Sequence, residues 1–444
     1  MINIKIPDYC KRIMSVLSAN GFESYLVGGC VRDSLMGEKP HDYDITTNAT
    51  PQEMLECFKD FKVVETGLKH GTLTVVIDNK NIEITTYRVD GEYDDNRHPK
   101  EVSFTRNLEE DLKRRDFTVN AMAYNDESGV VDLYGGERDL EKRVIRCVGE
   151  PDKRFNEDGL RILRALRFAS VLGFSIAEET AKSIHKNKEL LENISAERIF
   201  VEFKKLLCGK NAEKILIEFK DVIAVFIPEI KPCFDFDQNT KYHCYDVYTH
   251  IVKTVSAVEK DEKLRLACFF HDIGKPQVYF TDKDGTGHFY GHNKTSMEIA
   301  EAVLKRLKCD NETLKFVLDA VKYHDTQIVP TEKAVKRFLN KTCFCFLSSL
   351  LKIKRADAAA HAEKYRDREE YIKSILDILS KIEEENQCFT LKNLAINGRD
   401  LIELGVKPNE EMGKMLNNLL LAVIDGKVEN KKDELIKFIQ REII

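Results

Sequence analysis

The sequence predicts an α+β protein: a small mixed α/β head at the N-terminus followed by a long all-α remainder. Two observations carry this. Up to about residue 125, short apolar runs (Tyr25 to Val27, Phe61 to Val64, Leu73 to Ile77, Ile82 to Tyr87) alternate with turns, as strands of a half-buried sheet do. From Asn107 onward the periodicity is helical, and strand signal nearly vanishes apart from a short hairpin at Val278 to Phe289. The 444 residues have room for several domains. The expected segments are the head at 1–145, a helical neck and body at 146–235, a histidine-bearing domain at 236–365 and a helical tail at 366–444.

Composition narrows the class. A net charge of −6 argues against extensive nonspecific nucleic-acid binding and leaves room for a localised basic groove. Lys113 to Arg115, Lys204-Lys205, Lys333 to Lys341 and Lys352 to Arg355 read individually as solvated helix faces. Twelve cysteines without a CxxC pair read as reduced thiols, which points to the cytoplasm. The longest apolar run, Leu419 to Ile424, is far too short to span a bilayer.

The head opens on Tyr25-Leu-Val-Gly-Gly-Cys-Val-Arg-Asp33. Tyr25 to Val27 form a buried strand, and Gly28-Gly29 turns the chain into a helix that starts near Val31. Backbone amides of such a turn can face an anion. A strand over Asp42 to Thr46 follows, and on it Asp42 and Asp44, two apart, share a face. Paired carboxylates need a cation between them, and hard oxygen ligands suit Mg²⁺. A phosphate cradle beside such a pair is the equipment of nucleotidyl transfer. Gly71 to Ile77 and Ile82 to Thr86, joined through Asp78-Asn-Lys-Asn81, read as a hairpin. Glu83 on it is either a third carboxylate or a solvent-facing strand residue. Arg88 to Phe104 is a long polar loop, a length that marks functional segments.

Arg114-Arg115-Asp116-Phe-Thr-Val-Asn120 ends the head. Paired arginines can clamp phosphate oxygens, and Asp116 and Asn120 can fix them or reach sugar hydroxyls. The strongest helix then runs from Glu157 to Leu172 and stops at Gly173. On it Asp158 and Arg161 are neighbours on one face, continued by Arg164 and Arg167, with Leu160, Leu163 and Leu166 buried opposite. An acceptor beside a donor matches the Watson–Crick edge of cytosine or adenine and opposes that of uracil or guanine. The same spacing also makes an ordinary surface ion pair.

Taken together, Leu-Val-Gly-Gly-x-Val-Arg-Asp33, Asp42-x-Asp44, Arg114-Arg-Asp-Phe-Thr-x-Asn-Ala121 and Glu157-Asp-x-x-Arg161 resemble the class II CCA-adding tRNA nucleotidyltransferases of the polymerase-β-type superfamily. The resemblance covers the first 210 or so residues. It implies a head, neck, body and tail that add C, C and A to the tRNA 3′ end from CTP and ATP. By position, it implies Mg²⁺ on Asp42 and Asp44 and triphosphate on Gly29, Arg32 and Arg115. Asp158 and Arg161 would read the base, with Arg164 and Arg167 completing the site. The stretch from Thr86 to Pro99 resembles the family's flexible loop and is intact, which favours full CCA over CC addition. Ile396 to Ile402 and Met412 to Leu416 resemble the family's tail, although Pro408-Asn-Glu stands where Pro-Gly-Pro is usual. Such helices bind the acceptor arm by shape and phosphate.

A second constellation follows in the all-α part. His250, Phe269-Phe-His271-Asp272, His292, His324 and Asp357 mix imidazoles and carboxylates in a pattern that suits a transition metal or Mg²⁺. It resembles the HD phosphohydrolase superfamily, which implies a second divalent metal on His250, His271, Asp272 and Asp357, with His292 and His324 as additions. Three alternatives stay open on sequence alone. One is an A-adding enzyme or poly(A) polymerase of the same superfamily; another is an HD phosphohydrolase whose head only binds nucleotide or RNA. The third is an RNA-binding adaptor with two relic sites.

Overall fold

Apolar alternation in the first part of the chain resolves into a seven-stranded mixed sheet. Its strands are β1 (Ser24–Val27), β2 (Asp44–Thr47), β3 (Lys62–Val64), β4 (Thr72–Ile77), β5 (Lys80–Thr86), β8 (Met122–Asn125) and β9 (Gly129–Asp132), while β6 (Arg88–Asp90) and β7 (Val102–Phe104) pair as a separate ribbon. The order across the sheet is β3-β4-β5-β2-β1-β8-β9. Every pairing is antiparallel except β2 with β5, which sets Asp44 directly opposite Glu83. The computed structural model describes residues 4–91 and 102–442. Most of the long loop between Arg88 and Phe104 lies outside the described residues.

Period-two burial gives the sheet two different faces. Leu26, Ile45, Leu73 and Ile84 point into a core with Ile13 and Leu17 of α1 (Asp8–Ala19), Val31 of α2 (Gly29–Leu35) and Met54 of α3 (Pro51–Cys57). Tyr25, Val27 and Ala123 point the other way, into a smaller cluster with Tyr87 and with Leu112 of α4 (Leu108–Lys113). Asp44 pairs in register with Val27, so it shares this second face and stands at the open strand end.

The helices beyond include α5 (Gly136–Glu141), α6 (Pro151–Glu157), α7 (Leu160–Leu172), α8 (Glu178–Asn187) and α9 (Ala196–Leu207). On α7, Leu160, Leu163 and Leu166 are buried as the periodicity requires, and Gly173 closes the helix in the left-handed region at φ 75°. Two compact units result, Met1–Lys231 with Arg306–Lys308 and Pro232–Lys305 with Cys309–Ile444. In the second unit, residues Leu394 to Ile439 form a hydrophobic cluster of their own, built on Leu401, Leu419, Leu420 and Leu435.

Four expectations are corrected. Strand structure does not fade after Asn107: β8 and β9 extend the main sheet, disguised by their shortness and by Ala123 and Asn125, poor strand formers. The strand expected at Asp42 to Thr46 is Asp44–Thr47, with Asp42 in the connection before it. The helix after the glycine turn begins at Gly29 itself. The helix expected from Glu157 to Leu172 breaks at Asp158-Gly159, where Asp158 is extended. A Cβ on Gly159 would lie 2.9 Å from the Leu190 carbonyl oxygen, so the break is fixed by close backbone packing.

At the end of α4 the fully buried carboxylate of Asp111 receives Arg114 (2.7 Å) and Arg115 (3.3 Å). Burial alone would raise this carboxyl; the two guanidiniums hold it below the usual range. Asp111→Ala should cost about 3 kcal/mol in a urea denaturation experiment, because two partly buried arginines lose a buried carboxylate that both contact.

Candidate active site and metal centre

The glycine turn is fixed by what surrounds it. Gly28 sits at φ 78°, its N–H donates to the Met122 carbonyl at 3.2 Å, and a Cβ there would stand 3.1 Å from Arg115 Nη1. Only glycine meets both demands. Gly29 then opens α2, which carries the buried Arg32. Arg32 donates from Nη1 to Asn120 Oδ1 (2.6 Å) and from Nε and Nη2 to Asp33 Oδ1 (2.8 and 2.7 Å). Asn120 in turn donates to Asp116 Oδ1 (3.2 Å), and Arg164 donates to Asp116 Oδ2 from Nε and Nη2 (2.9 and 2.6 Å). Arg32, Asn120, Asp116 and Arg164 are thus one bonded chain from α2 to α7. Arg164 is pushed above the usual arginine range, chiefly by Asp116, and Asp116 is held below the usual carboxylate range although burial opposes it.

The carboxylates gather at the neighbouring strand ends. Asp44 is raised above the ordinary range by desolvation first; Arg115 opposes this, and Glu83 and Asp42 reinforce it. Asp42 and Glu83 are thus near enough to Asp44 to act on its charge, and all three offer only oxygen atoms, the donor type that hard divalent cations take.

Asp158 and Arg161 do not share one continuous helix face as expected: Asp158 caps α6 while Arg161 lies in α7, its N–H donating to the Asp158 carbonyl at 2.9 Å. Asp158 ends α6, accepts the Leu160 N–H at 3.0 Å and pairs with Arg198 of α9 at 2.9 Å. Arg161, buried in the first turn of α7, donates to Glu157 (2.6 Å), to the Arg154 carbonyl (3.1 Å) and to the Arg114 carbonyl (3.0 Å). The Asp158 side chain is thus oriented by Arg198, and the Arg161 guanidinium by Glu157 and two main-chain carbonyls. Arg167 faces Glu202 of α9 at 2.6 Å. Asp111, Glu157, Arg198 and Glu202 are therefore parts of the site that sequence reasoning missed. Each partner is distant in sequence or hidden behind a helix break, so no spacing signal could have found Arg198 or Glu202.

The second unit brings together every histidine and carboxylate of the second constellation. His250 Nε2 lies 3.0 Å from Asp357 Oδ1 and 3.3 Å from Asp272 Oδ2, while His271 Nε2 lies 3.2 Å from Asp272 Oδ2. His292 and His324 approach the other oxygen, Oδ1 of Asp272, at 3.3 and 3.6 Å. The outer ring nitrogens, all Nδ1, face carbonyls: Ala360 for His250, Cys268 for His271, Phe289 for His292 and Val321 for His324. With each Nδ1 on a carbonyl, all four Nε2 atoms point inward, where His250 and His271 stand 3.3 Å apart and His292 and His324 3.1 Å apart. Each pair can share a proton or take a metal ion between its nitrogens. Burial would depress His271, yet Asp272 and Asp357 outweigh it and lift the imidazole to about 10. Imidazoles and carboxylates in this ratio fit a transition metal.

Two further histidines line this centre. His243 accepts from Lys275 Nζ (3.2 Å) and is paired with Thr240 (2.9 Å), and Lys275 also reaches Asp272 at 2.6 Å. His361 stacks on His250 with ring centroids 5.5 Å apart. Neither lies in a doublet or on the helix of a ligand, which is why the sequence did not single them out. His288 stays on the hairpin, bound to Asp282 at 2.8 Å and stacked with Phe280 and Tyr290.

Family models match three stretches of the chain: a poly(A) polymerase head domain over residues 24–146, a probable RNA- and SrmB-binding site of polymerase A over 173–234, and a tRNA nucleotidyltransferase domain 2 over 289–439. The CCA-adding enzyme of Ligilactobacillus salivarius is 34% identical across 98% of both chains, and that of Pediococcus pentosaceus 33% identical across 97% of both. Among solved structures, the Bacillus stearothermophilus CCA-adding enzyme in complex with CTP matches at TM-score 0.74 and 28% identity, covering 97% of this chain and 96% of that one. Among the described residues no helix is long and apolar enough to cross a membrane.

The histidine–carboxylate ring predicts a measurable metal. Protein exposed to Mn²⁺ or Zn²⁺ and desalted should retain the ion by elemental analysis. Asp272→Asn should lose most of it, since both histidine pairs face that carboxylate, and Asp42→Asn should lose none.

Proposed function

Because the chain belongs to the CCA-adding enzymes, tRNA nucleotidyltransferases with a poly(A)-polymerase-type head, we propose a residue-by-residue assignment for that reaction. The enzyme adds C, C and A in turn to the tRNA 3′ end from CTP and ATP and releases pyrophosphate. In our reading Asp42 and Asp44, with Glu83 beside them, hold Mg²⁺. Bound there, the ion neutralises the triphosphate and lowers the pKa of the attacking 3′-hydroxyl. The amides of the Gly28-Gly29 turn, Arg32 and Arg115 take the phosphates, and Arg164 and Arg167 close the site from α7. In-line attack on the α-phosphate then needs only positioning and charge stabilisation.

The observation that carries the assignment is the bonded chain Arg32–Asn120–Asp116–Arg164 beside the Asp44–Glu83 strand pair. It supports one preorganised cationic wall facing one carboxylate group. Base choice falls to Asp158 and Arg161, whose orientations are set by Arg198 and Glu157. A side-chain pair fixed by other side chains can serve as a template for the cytosine or adenine edge.

A second reading concerns the second unit alone, and four inward-facing Nε2 atoms favour it: a metal-dependent phosphohydrolase of the HD type. The centre opens into a cleft of about 640 Å³, lined by Lys364 and Arg368 together with Tyr242, Tyr290 and Tyr365. Cations beside aromatic rings suit a nucleoside phosphate.

Incorporation on tRNA transcripts ending before CCA, after C and after CC tests the first reading, with each nucleotide supplied singly. Stepwise C, C, A with no U or G is expected, and a long A tail would overturn it. Asp42→Ala should lower incorporation by about a thousandfold or more while tRNA binding persists. Glu157→Gln should act on choice, raising UTP and GTP use relative to CTP and ATP by about tenfold. His271→Ala should remove Mn²⁺-dependent phosphate release from p-nitrophenyl phosphate and spare incorporation; no such release from the parent protein would sink the second reading alone.

A further inference from the structure

Three guanidiniums converge on one aromatic ring. The Cζ atom of Arg167 lies 4.0 Å from the ring centroid of Phe168, that of Arg32 5.3 Å and that of Arg164 5.4 Å. All three fall within the range in which a ring quadrupole attracts a cation. Arg32 comes from α2, beside the glycine turn, and the other two from α7. The ring is held in turn by Phe117, edge to face at 5.8 Å, and Phe117 is fully buried.

Like charges this close repel, and the carboxylates around them do not serve the three equally. Asp33 and Asp116 make aligned hydrogen bonds to Arg32 and Arg164. Glu202 is 2.6 Å from Arg167 Nε, but off the hydrogen-bonding line, and both buried atoms are left without a bond. Arg167 is thus the least satisfied cation and the one nearest the ring. Burial, then Arg164 and Arg32, press its pKa below the ordinary arginine range, while Glu202 and Asp116 resist.

We propose that Phe168 is a positioning residue for the nucleotide triphosphate: its π face gathers Arg32, Arg164 and Arg167 before substrate arrives. The inference rests on the assignment of those arginines to the nucleotide site. Without the ring, the trio spreads to relieve its own repulsion, and each incoming nucleotide must reassemble it. That cost falls on binding, and equally for CTP and ATP, because phosphates carry no base identity.

Steady-state incorporation with full-length Phe168 variants tests this. Phe168→Leu keeps an apolar side chain and removes the quadrupole; KM for CTP and for ATP should rise about tenfold together, with kcat within about twofold and tRNA affinity unchanged. Phe168→Tyr should restore KM. Mono-, di- and trifluorophenylalanine at position 168 keep the shape and drain the ring's negative face, so KM should climb with each fluorine. A flat fluorine series overturns the proposal, as does a Leu variant that loses kcat or tRNA binding instead. Arg32→Ala and Arg164→Ala serve as the reference. If they leave nucleotide KM unchanged, the site assignment itself fails; if they raise it while the fluorine series stays flat, only the role of Phe168 falls.

Discussion

The buried carboxylate of Asp116 holds the proposed nucleotide pocket together. One oxygen takes Nε and Nη2 of Arg164, and the other takes the Phe117 N–H and the Asn120 amide, through which Arg32 is reached. A carboxylate so enclosed is tolerable only with its counter-charge in place, and the arginines beside it are tolerable only with the carboxylate. Each therefore fixes the other. The pocket keeps its shape because release of any one group would strand a buried charge.

The two centres reach preorganisation by opposite routes. In the first unit, positive side chains crowd together, and carboxylates and a ring hold them in place. In the second, imidazoles are turned inward by main-chain carbonyls, and two acids complete the ring. The first arrangement suits an anion that comes and goes with every cycle. The second suits a cation that stays, since no ligand must move for it to remain bound.

Much of this was legible in the chain. The Gly28-Gly29 turn, the hairpin of β4 and β5, and the buried leucines of α7 follow from local pattern, because each depends on residues within a few positions, whereas Asp42 falls outside the strand that the alternation of Asp42 and Asp44 suggested. The histidines and acids of the second centre could be nominated from type and order, although not their division between the two oxygens of Asp272. What escaped was set by distance. β8 and β9 become strands because β1 offers a partner, not because their own residues prefer it. Gly159 ends α6 because Leu190 packs against it. Glu202, Arg198 and Phe168 acquire their roles only when α9 lies on α7 and α7 lies beside α2.

The pairing of β1 with β8 joins Leu26 to Tyr124, so the middle of the sheet is closed by residues roughly a hundred positions apart. The amide of Gly28 is bonded to Met122 on that same strand. During synthesis on the ribosome, the glycine turn is therefore made early and finished late. Until β8 has emerged, β1 has one naked edge and Arg32 has no Asn120 to hold it. A nascent chain that stops short of residue 125 carries the glycine turn and both aspartates, yet lacks the strand and the Asn120 that hold them in place.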